Sequence, residues 1–134
     1  MIDTKDLMLG NWVYDGDKTH FPMYVECIGS DYVYLNFPDN EGDVFESTPK
    51  DLQGIPLTAE LLTKLGFEPQ ATNLWKKEEK KRDVLVNIER EFVFVEAFDK
   101  RLLDSRGWCH GIKYLHQLQN LFRAIAKDEF RANL

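Results

Sequence analysis

The residues best suited to chemistry lie close together near the end of the chain. Cys109 and His110 are adjacent, and His116 follows at the start of a predicted helix. A helix N-terminus lowers the pKa of a thiol, and a nearby imidazole can take its proton. These three residues are therefore the candidates for catalysis, with Cys109 as nucleophile and a histidine as base. Adjacent cysteine and histidine also arise by chance, and the neighbouring Trp108 indicates that this segment packs against the rest of the protein. The sequence therefore favours a protein that is not an enzyme.

Two arrangements have part of the pattern of a metal site. The same cysteine and histidines could bind zinc, but structural zinc sites use four ligands in paired spacing, and no second pair is present. Asp15, Asp17 and Glu26 match part of a calcium-binding loop, in which His20 occupies the position that requires glycine. The glycines are isolated and form no phosphate-binding loop. The sequence therefore predicts neither a metal nor a cofactor.

The charge is divided unevenly along the chain. Residues 1–67 carry 12 acidic residues against 4 lysines, a net charge of −8, whereas residues 68–134 carry a net charge of +2. An acidic surface repels nucleic acid. Trp75 and the basic residues of the segment 76–82 could bind it, but acidic residues in and beside that segment offset about half of the charge. We therefore expect a protein partner rather than nucleic acid. In one variant, the acidic half mimics nucleic acid and inhibits a protein that binds it.

Aromatic and polar side chains supply the candidate binding residues. Tyrosine and tryptophan suit interfaces because they present a large area at low cost in entropy. The predicted C-terminal helix adds a polar side opposite its leucines. The candidate binding residues are Tyr32, Tyr34, Trp75, His116, Gln119, Asn120 and Arg123.

The first third of the chain alternates apolar and polar residues, which is typical of half-buried strands. Strands are predicted over residues 11–15, 21–28, 32–37 and 44–47. Short strands at this spacing favour an antiparallel sheet that could curl into an SH3-like barrel.

Two helices and a hairpin are predicted in the remainder. The first helix lies within residues 57–67, with Thr58 as N-cap and Gly66 as a left-handed stop, after which Phe67 folds back. The predicted strands 83–89 and 91–98 are apolar on both faces, which is typical of central strands in a sheet. The charged segment 76–83 reads as a hairpin loop or an exposed strand end. The second helix spans residues 114–127. Together these elements predict a single α+β domain over residues 1–134, with a β-rich subregion at 1–53 and helix, hairpin and helix at 54–134.

Three stretches of sequence occur together in a distinctive order. They are residues 5–13, which contain GNWV, residues 54–67, which contain GIPLT, and residues 113–121, which contain KYLH. They resemble a family of small bacterial proteins that are associated with prophages and mobile elements. The resemblance implies a compact cytoplasmic protein of mobile-element origin, with no established activity and no catalytic residue. The chain departs from the family at Met8, where many relatives are basic, and at Gln117, where many are acidic.

The sequence has no feature of export or membrane insertion. The start of the chain lacks the basic and apolar segments of a signal peptide, so we expect a cytoplasmic protein that does not enter the membrane. Cys27 and Cys109 are expected to be unbridged and at least half-buried. The predicted strands have unpaired edges that could pair between two copies of the chain, so a homodimer is possible. The sequence thus favours a protein-interaction module, and a small enzyme with a site near Cys109 is the alternative.

Overall fold

The computed structural model describes residues 1–16, 21–78, 82–89, 92–99, 104–108 and 112–126. Within these ranges, the side chains of residues 82, 89, 92–99, 104–108 and 124–126 are not described. The described part is an α+β structure with two antiparallel sheets, as predicted.

The first sheet contains the four strands predicted from alternation and one more. Its strands are β1 (Trp12–Asp15), β2 (Pro22–Ile28), β3 (Val33–Asn36), β4 (Phe45–Ser47) and β5 (Leu52–Gly54). The order is β4-β3-β2-β1-β5, so β4 and β5 lie at opposite edges. The sheet is therefore open, and the barrel that the sequence allowed is not formed. β5 is too short for its alternation to be recognised, and it follows a 3-10 turn at Pro49–Asp51.

One face of the first sheet covers a core of its own. Val13, Val25, Val33 and Leu35 point into it and are fully or almost fully buried. The N-terminal segment closes this core with Ile2 and Leu7, helped by a hydrogen bond from the Ile2 N–H to the Pro49 carbonyl at 3.2 Å. Alternate residues face the opposite side of the sheet, as the pleat requires.

The second sheet contains the two predicted central strands and three further ones. Its strands are β6 (Glu68–Ala71), β7 (Leu74–Glu78), β8 (Arg82–Glu89), β9 (Phe92–Asp99) and β10 (Asp104–Trp108), in the order β10-β9-β8-β7-β6. β8 and β9 lie inside the sheet, which confirms their assignment. The edge strands β6 and β10 were not predicted, because their sequences lack apolar alternation.

Both ends of the charged segment 76–83 are strand ends, the second of the two alternatives predicted for it. Residues 76–78 continue β7 and pair with β8. Lys76 Nζ lies 3.4 Å from a carboxylate oxygen of Glu78 and 3.7 Å from one of Asp83. Opposite charges on neighbouring strands are favourable, so a charged segment can remain extended here. The centre of the segment, residues 79–81, lies outside the described residues.

The first helix, α1 (Ala59–Lys64), has both of the predicted ends. The Leu61 N–H donates to the Thr58 hydroxyl at 3.2 Å, which caps the N-terminus. At the other end Gly66 has φ of 92°, and the Phe67 N–H donates to the Leu62 carbonyl at 2.9 Å. This is a Schellman ending, and it directs Phe67 back towards the helix.

The second helix, α2 (Leu115–Ala126), confirms the predicted C-terminal helix and lies in a core that contacts both sheets. This shared core contains Trp12, Ile55, Leu57, Leu62, Leu65, Phe67, Val84, Val86, Ile112, Leu115, Leu118 and Phe122. A core common to both sheets is what a single domain requires, and the single domain over residues 1–134 stays a prediction. None of the described helices has the length and apolar character needed to cross a bilayer.

Candidate interaction surface

The three stretches that carry the family resemblance meet around the start of α2. The Leu57 N–H donates to the Lys113 carbonyl at 2.9 Å, and the Leu115 N–H donates to the Ile55 carbonyl at 2.8 Å. The ring of Tyr114 lies against the backbone here, and a β-carbon on Gly54 would overlap it. The contacts between the stretches at residues 54–67 and 113–121 therefore hold the start of α2 in place.

Gln119 fastens α2 to the N-terminal stretch. Its Oε1 accepts from the Trp12 N–H at 2.9 Å, and its Nε2 donates to the Gly10 carbonyl at 3.1 Å. The side chain is only 8% exposed. The prediction that Gln119 belongs to a free polar side of the helix is therefore wrong, because its amide satisfies backbone groups inside the protein.

Asn120 makes a second connection of the same kind. Its Oδ1 accepts from Nδ2 of the buried Asn11 at 2.8 Å, and its Nδ2 donates to the Asp6 carbonyl at 2.8 Å. Asn11 in turn accepts from the Met8 N–H at 2.8 Å. Asn120 is half-buried, and all its described hydrogen bonds are internal. The polar groups of these stretches thus hold the fold together.

His116 is also inside the protein. It is 3% exposed, and its ring stacks on Tyr114 with centroids 5.9 Å apart. Among the described residues, its Nδ1 has no hydrogen-bond partner. Burial lowers the pKa of His116, and the charge of Asp6 opposes this in part. The predicted free polar side is therefore wrong for His116 as well. Its predicted neighbours in catalysis, Cys109 and His110, lie outside the described residues.

The lowered pKa of His116 predicts how the stability of the protein depends on pH. Because its folded pKa lies below the ordinary value of 6.5, the unfolded chain binds more protons between those two values. We expect the free energy of unfolding contributed by this group to be complete above about pH 6.5 and to fall as the pH drops towards the folded pKa. Melting temperatures from pH 7 to pH 5 should therefore fall more steeply in the natural protein than in His116→Phe. Parallel curves would contradict this.

The remaining predicted binding residues have mixed positions. Tyr32 is exposed and Tyr34 half-exposed, with ring centroids 5.0 Å apart. Trp75 is half-buried against the shared core, and Arg123 is half-buried on α2. Only the two tyrosines remain as an aromatic surface pair. The exposed Cys27 departs from the burial expected of it.

An exposed aromatic surface lies at one end of the first sheet and was not predicted. Phe21 precedes β2 and is 51% exposed, and Phe45 begins β4 and is 46% exposed. Phe37 lies between them, with ring centroids 5.5 Å from Phe21 and 5.9 Å from Phe45. Val44 adds a further exposed apolar side chain. We call Phe21, Phe37, Val44 and Phe45 the aromatic rim.

A structured loop, residues 38–44, adjoins the aromatic rim. Asn40 Nδ2 donates to Asn36 Oδ1 at 2.7 Å and to the Asp43 carbonyl at 3.3 Å. Asn40 Oδ1 accepts from the Gly42 N–H at 3.0 Å. One asparagine thus braces both sides of the turn, so the loop has a defined shape. We call it the acidic loop, because its charged residues are Asp39, Glu41 and Asp43, all exposed.

The negative charge continues from the acidic loop onto the sheet. Glu46 is exposed on β4, directly after Phe45, and residues 38–47 contain four carboxylates and no lysine or arginine. β4 is an edge strand of its sheet and pairs with β3 on one side. The rim and the loop therefore form one surface with apolar and acidic parts, and Glu46 lies on the opposite face of β4 from Phe45.

The described structure defines the protein by class, as an α+β protein of two antiparallel sheets with an exposed aromatic and acidic surface. The chain matches no protein-family model, no curated protein and no solved structure. Within the described ranges, histidine, cysteine and carboxylate side chains form no group of three or more that could hold a metal ion.

Proposed function

We propose that this protein is a non-catalytic protein-interaction module that binds its partner through the aromatic rim. The observation that carries this proposal is the exposure of Phe21 and Phe45, about half of each side chain, beside a third phenylalanine. Contiguous exposed apolar surface is unfavourable in water, and in folded proteins it marks binding sites. A partner that covers the rim removes this unfavourable exposure.

The aromatic rim has the properties of an energetic centre of binding. Each ring contacts a neighbouring ring, so little side-chain entropy remains to be lost when a partner covers it. Phe37 also packs against the first core, which fixes the middle of the rim. Truncation of a central aromatic residue in an interface typically costs about 2 kcal/mol or more.

The charge beside the rim favours a protein over nucleic acid as the partner. Phosphates would meet four carboxylates within residues 38–47, and repulsion of that kind opposes binding. A mobile-element origin and action in the cytoplasm belong to the same proposal, and their support is the resemblance of the three sequence stretches. The alternative enzyme near Cys109 depends on residues outside the described part of the chain.

Affinity capture tests this proposal. The natural chain is immobilised and exposed to nuclease-treated bacterial lysate, and the bound proteins are identified by mass spectrometry. We expect one protein partner at near-equal stoichiometry, and we expect Phe21→Ser/Phe45→Ser to lower its recovery by about tenfold or more.

Leu9→Ser is the matched control for the capture, because Leu9 is 57% exposed but lies outside the rim. It should retain the partner. The proposal is wrong if the rim variant, with an unchanged melting temperature, retains the partner as well as the control does. It is also wrong if the natural chain captures proteins from untreated lysate and none from nuclease-treated lysate.

A further inference from the structure

We infer that the partner presents a basic segment in which arginine lies next to an apolar residue, and that this segment binds across the aromatic rim and the acidic loop. This inference rests on the proposed function and adds the chemistry of the partner. It follows from the short distance in sequence between the two parts of the surface: Asp43 of the acidic loop is followed directly by Val44 and Phe45 of the rim. A ligand that covers Phe45 therefore lies next to the acidic loop.

The charge of this surface favours a cationic ligand. The acidic loop contains three carboxylates and no basic residue, and all three carboxylates are exposed. A neutral apolar ligand would cover the rim but would partly desolvate these carboxylates without pairing them, which is costly. A basic ligand replaces the lost hydration with ion pairs, and long-range attraction also speeds its association.

Arginine fits the surface better than lysine does. Its guanidinium group pairs with a carboxylate through two parallel hydrogen bonds and is more weakly hydrated than an ammonium group. The same planar group stacks on aromatic rings. Here exposed rings and carboxylates lie side by side, so one arginine can use both kinds of contact, whereas a lysine gains mainly the charge.

The acidic loop is already shaped for such a ligand. Asn40 holds it through hydrogen bonds to Asn36, Gly42 and the Asp43 backbone. These bonds use amide and backbone groups, so none of them involves a carboxylate of the loop. The charged side chains can therefore bind a ligand without disrupting the loop. A loop ordered before binding loses less entropy on binding.

The test uses a phage-displayed library of random twelve-residue peptides, selected on the immobilised natural chain in low salt. The expected result is enrichment of arginine next to aromatic or aliphatic residues. A synthetic copy of the most enriched peptide, labelled with a fluorophore, is then titrated with the protein. We expect Glu41→Lys/Asp43→Lys to weaken its binding by about tenfold or more, and replacement of its arginines by lysine to weaken it by about threefold or more.

The matched control is Glu60→Lys/Glu68→Lys, which changes the net charge equally at exposed positions outside the surface. It should bind the peptide within about twofold of the natural chain, because local ion pairs outweigh the screened charge of distant residues. Equal losses in both charge variants would overturn the inference, as would enriched peptides without basic residues or no enrichment at all.

The two proposals can fail separately. If binding is lost in Phe21→Ser/Phe45→Ser but kept in Glu41→Lys/Asp43→Lys, the inference of a basic segment is wrong. The rim then remains the proposed binding surface. Peptides that bind all of these variants alike bind elsewhere and contradict both. Thermal melting of each variant, compared with the natural chain, separates loss of binding from loss of folding.

Discussion

Replacement of Phe67 with alanine is expected to lower the free energy of unfolding by about 3–5 kcal/mol. Phe67 is 2% exposed and lies in the shared core. The Schellman ending of α1 sets its position, so the surrounding side chains cannot easily close the cavity that alanine would leave. The cost combines the lost burial of an aromatic ring with the lost contacts of its neighbours.

This substitution also tests whether the two sheets unfold together. Trp12 lies in the first sheet and Trp75 in the second, so each can report on its own sheet. Two single-tryptophan proteins, with the remaining tryptophans replaced by phenylalanine, are unfolded in urea with and without Phe67→Ala. We expect the alanine to move both midpoints equally. A shift confined to Trp75 would show that the sheets do not share a core. Phe45→Ala, which truncates an exposed ring, should cost about 0.5 kcal/mol or less.

Replacement of Gln119 with leucine is expected to cost about 2–4 kcal/mol, although leucine has a similar size and is more apolar. Gln119 accepts a hydrogen bond from the Trp12 N–H and donates one to the Gly10 carbonyl. Leucine would remove the partner of the Trp12 N–H, whose bond to Gln119 is buried, at a cost of about 1–3 kcal/mol. Loss of the part-buried hydrogen bond to Gly10 adds about 0.5–1.5 kcal/mol. The gain in apolar burial is smaller than this loss.

The measurement for Gln119→Leu is chemical unfolding at constant pH. Gln70→Leu is the control, because Gln70 is exposed on β6 and its one hydrogen bond within the described residues goes to the neighbouring carbonyl, at 3.4 Å. The control should change the free energy of unfolding by about 0.5 kcal/mol or less. Equal stability of Gln119→Leu and the natural chain would mean that the link between α2 and the N-terminal stretch contributes nothing to the fold.

The elements that depend on neighbouring residues could be predicted from the sequence. Thr58, Gly66 and Phe67 specify the two ends of α1 through contacts within a few positions, and all three have the predicted roles. The alternation of β1 to β4 and the leucine spacing of α2 are equally local. The weakly patterned edge strands β6 and β10 depend on a neighbouring strand for their pairing, so their own residues did not identify them.

The role of the polar side of α2 could not be predicted, because its partners are far away in sequence. Gln119 bonds to a residue 107 positions earlier, and Asn120 to one 109 positions earlier. Helical periodicity separates polar from apolar sides, but it does not show whether a polar side meets water or backbone groups. The sequence therefore indicated surface positions for Gln119, which is buried, and for Asn120, which is half-buried.

The aromatic rim was missed for a related reason. Strand alternation places Phe21, Phe37 and Phe45 on the side of the sheet that faces its core. Phe21 and Phe45 are exposed because all three residues lie at one end of an open sheet, and that position follows from the register between β2, β3 and β4. The acidic residues on both sides of Val44 and Phe45 were the available signal, since such flanks are uncommon around a buried strand.

The central claim is that the aromatic rim and the acidic loop form the binding surface while α2 and its contacts hold the fold. Hydrogen–deuterium exchange of the full chain, alone and saturated with its captured partner, tests this most directly. The account predicts slower exchange of the amides in residues 33–47 and unchanged exchange in residues 115–126. Slower exchange confined to α2, or to β7 and β8, with residues 33–47 unaffected, would contradict it.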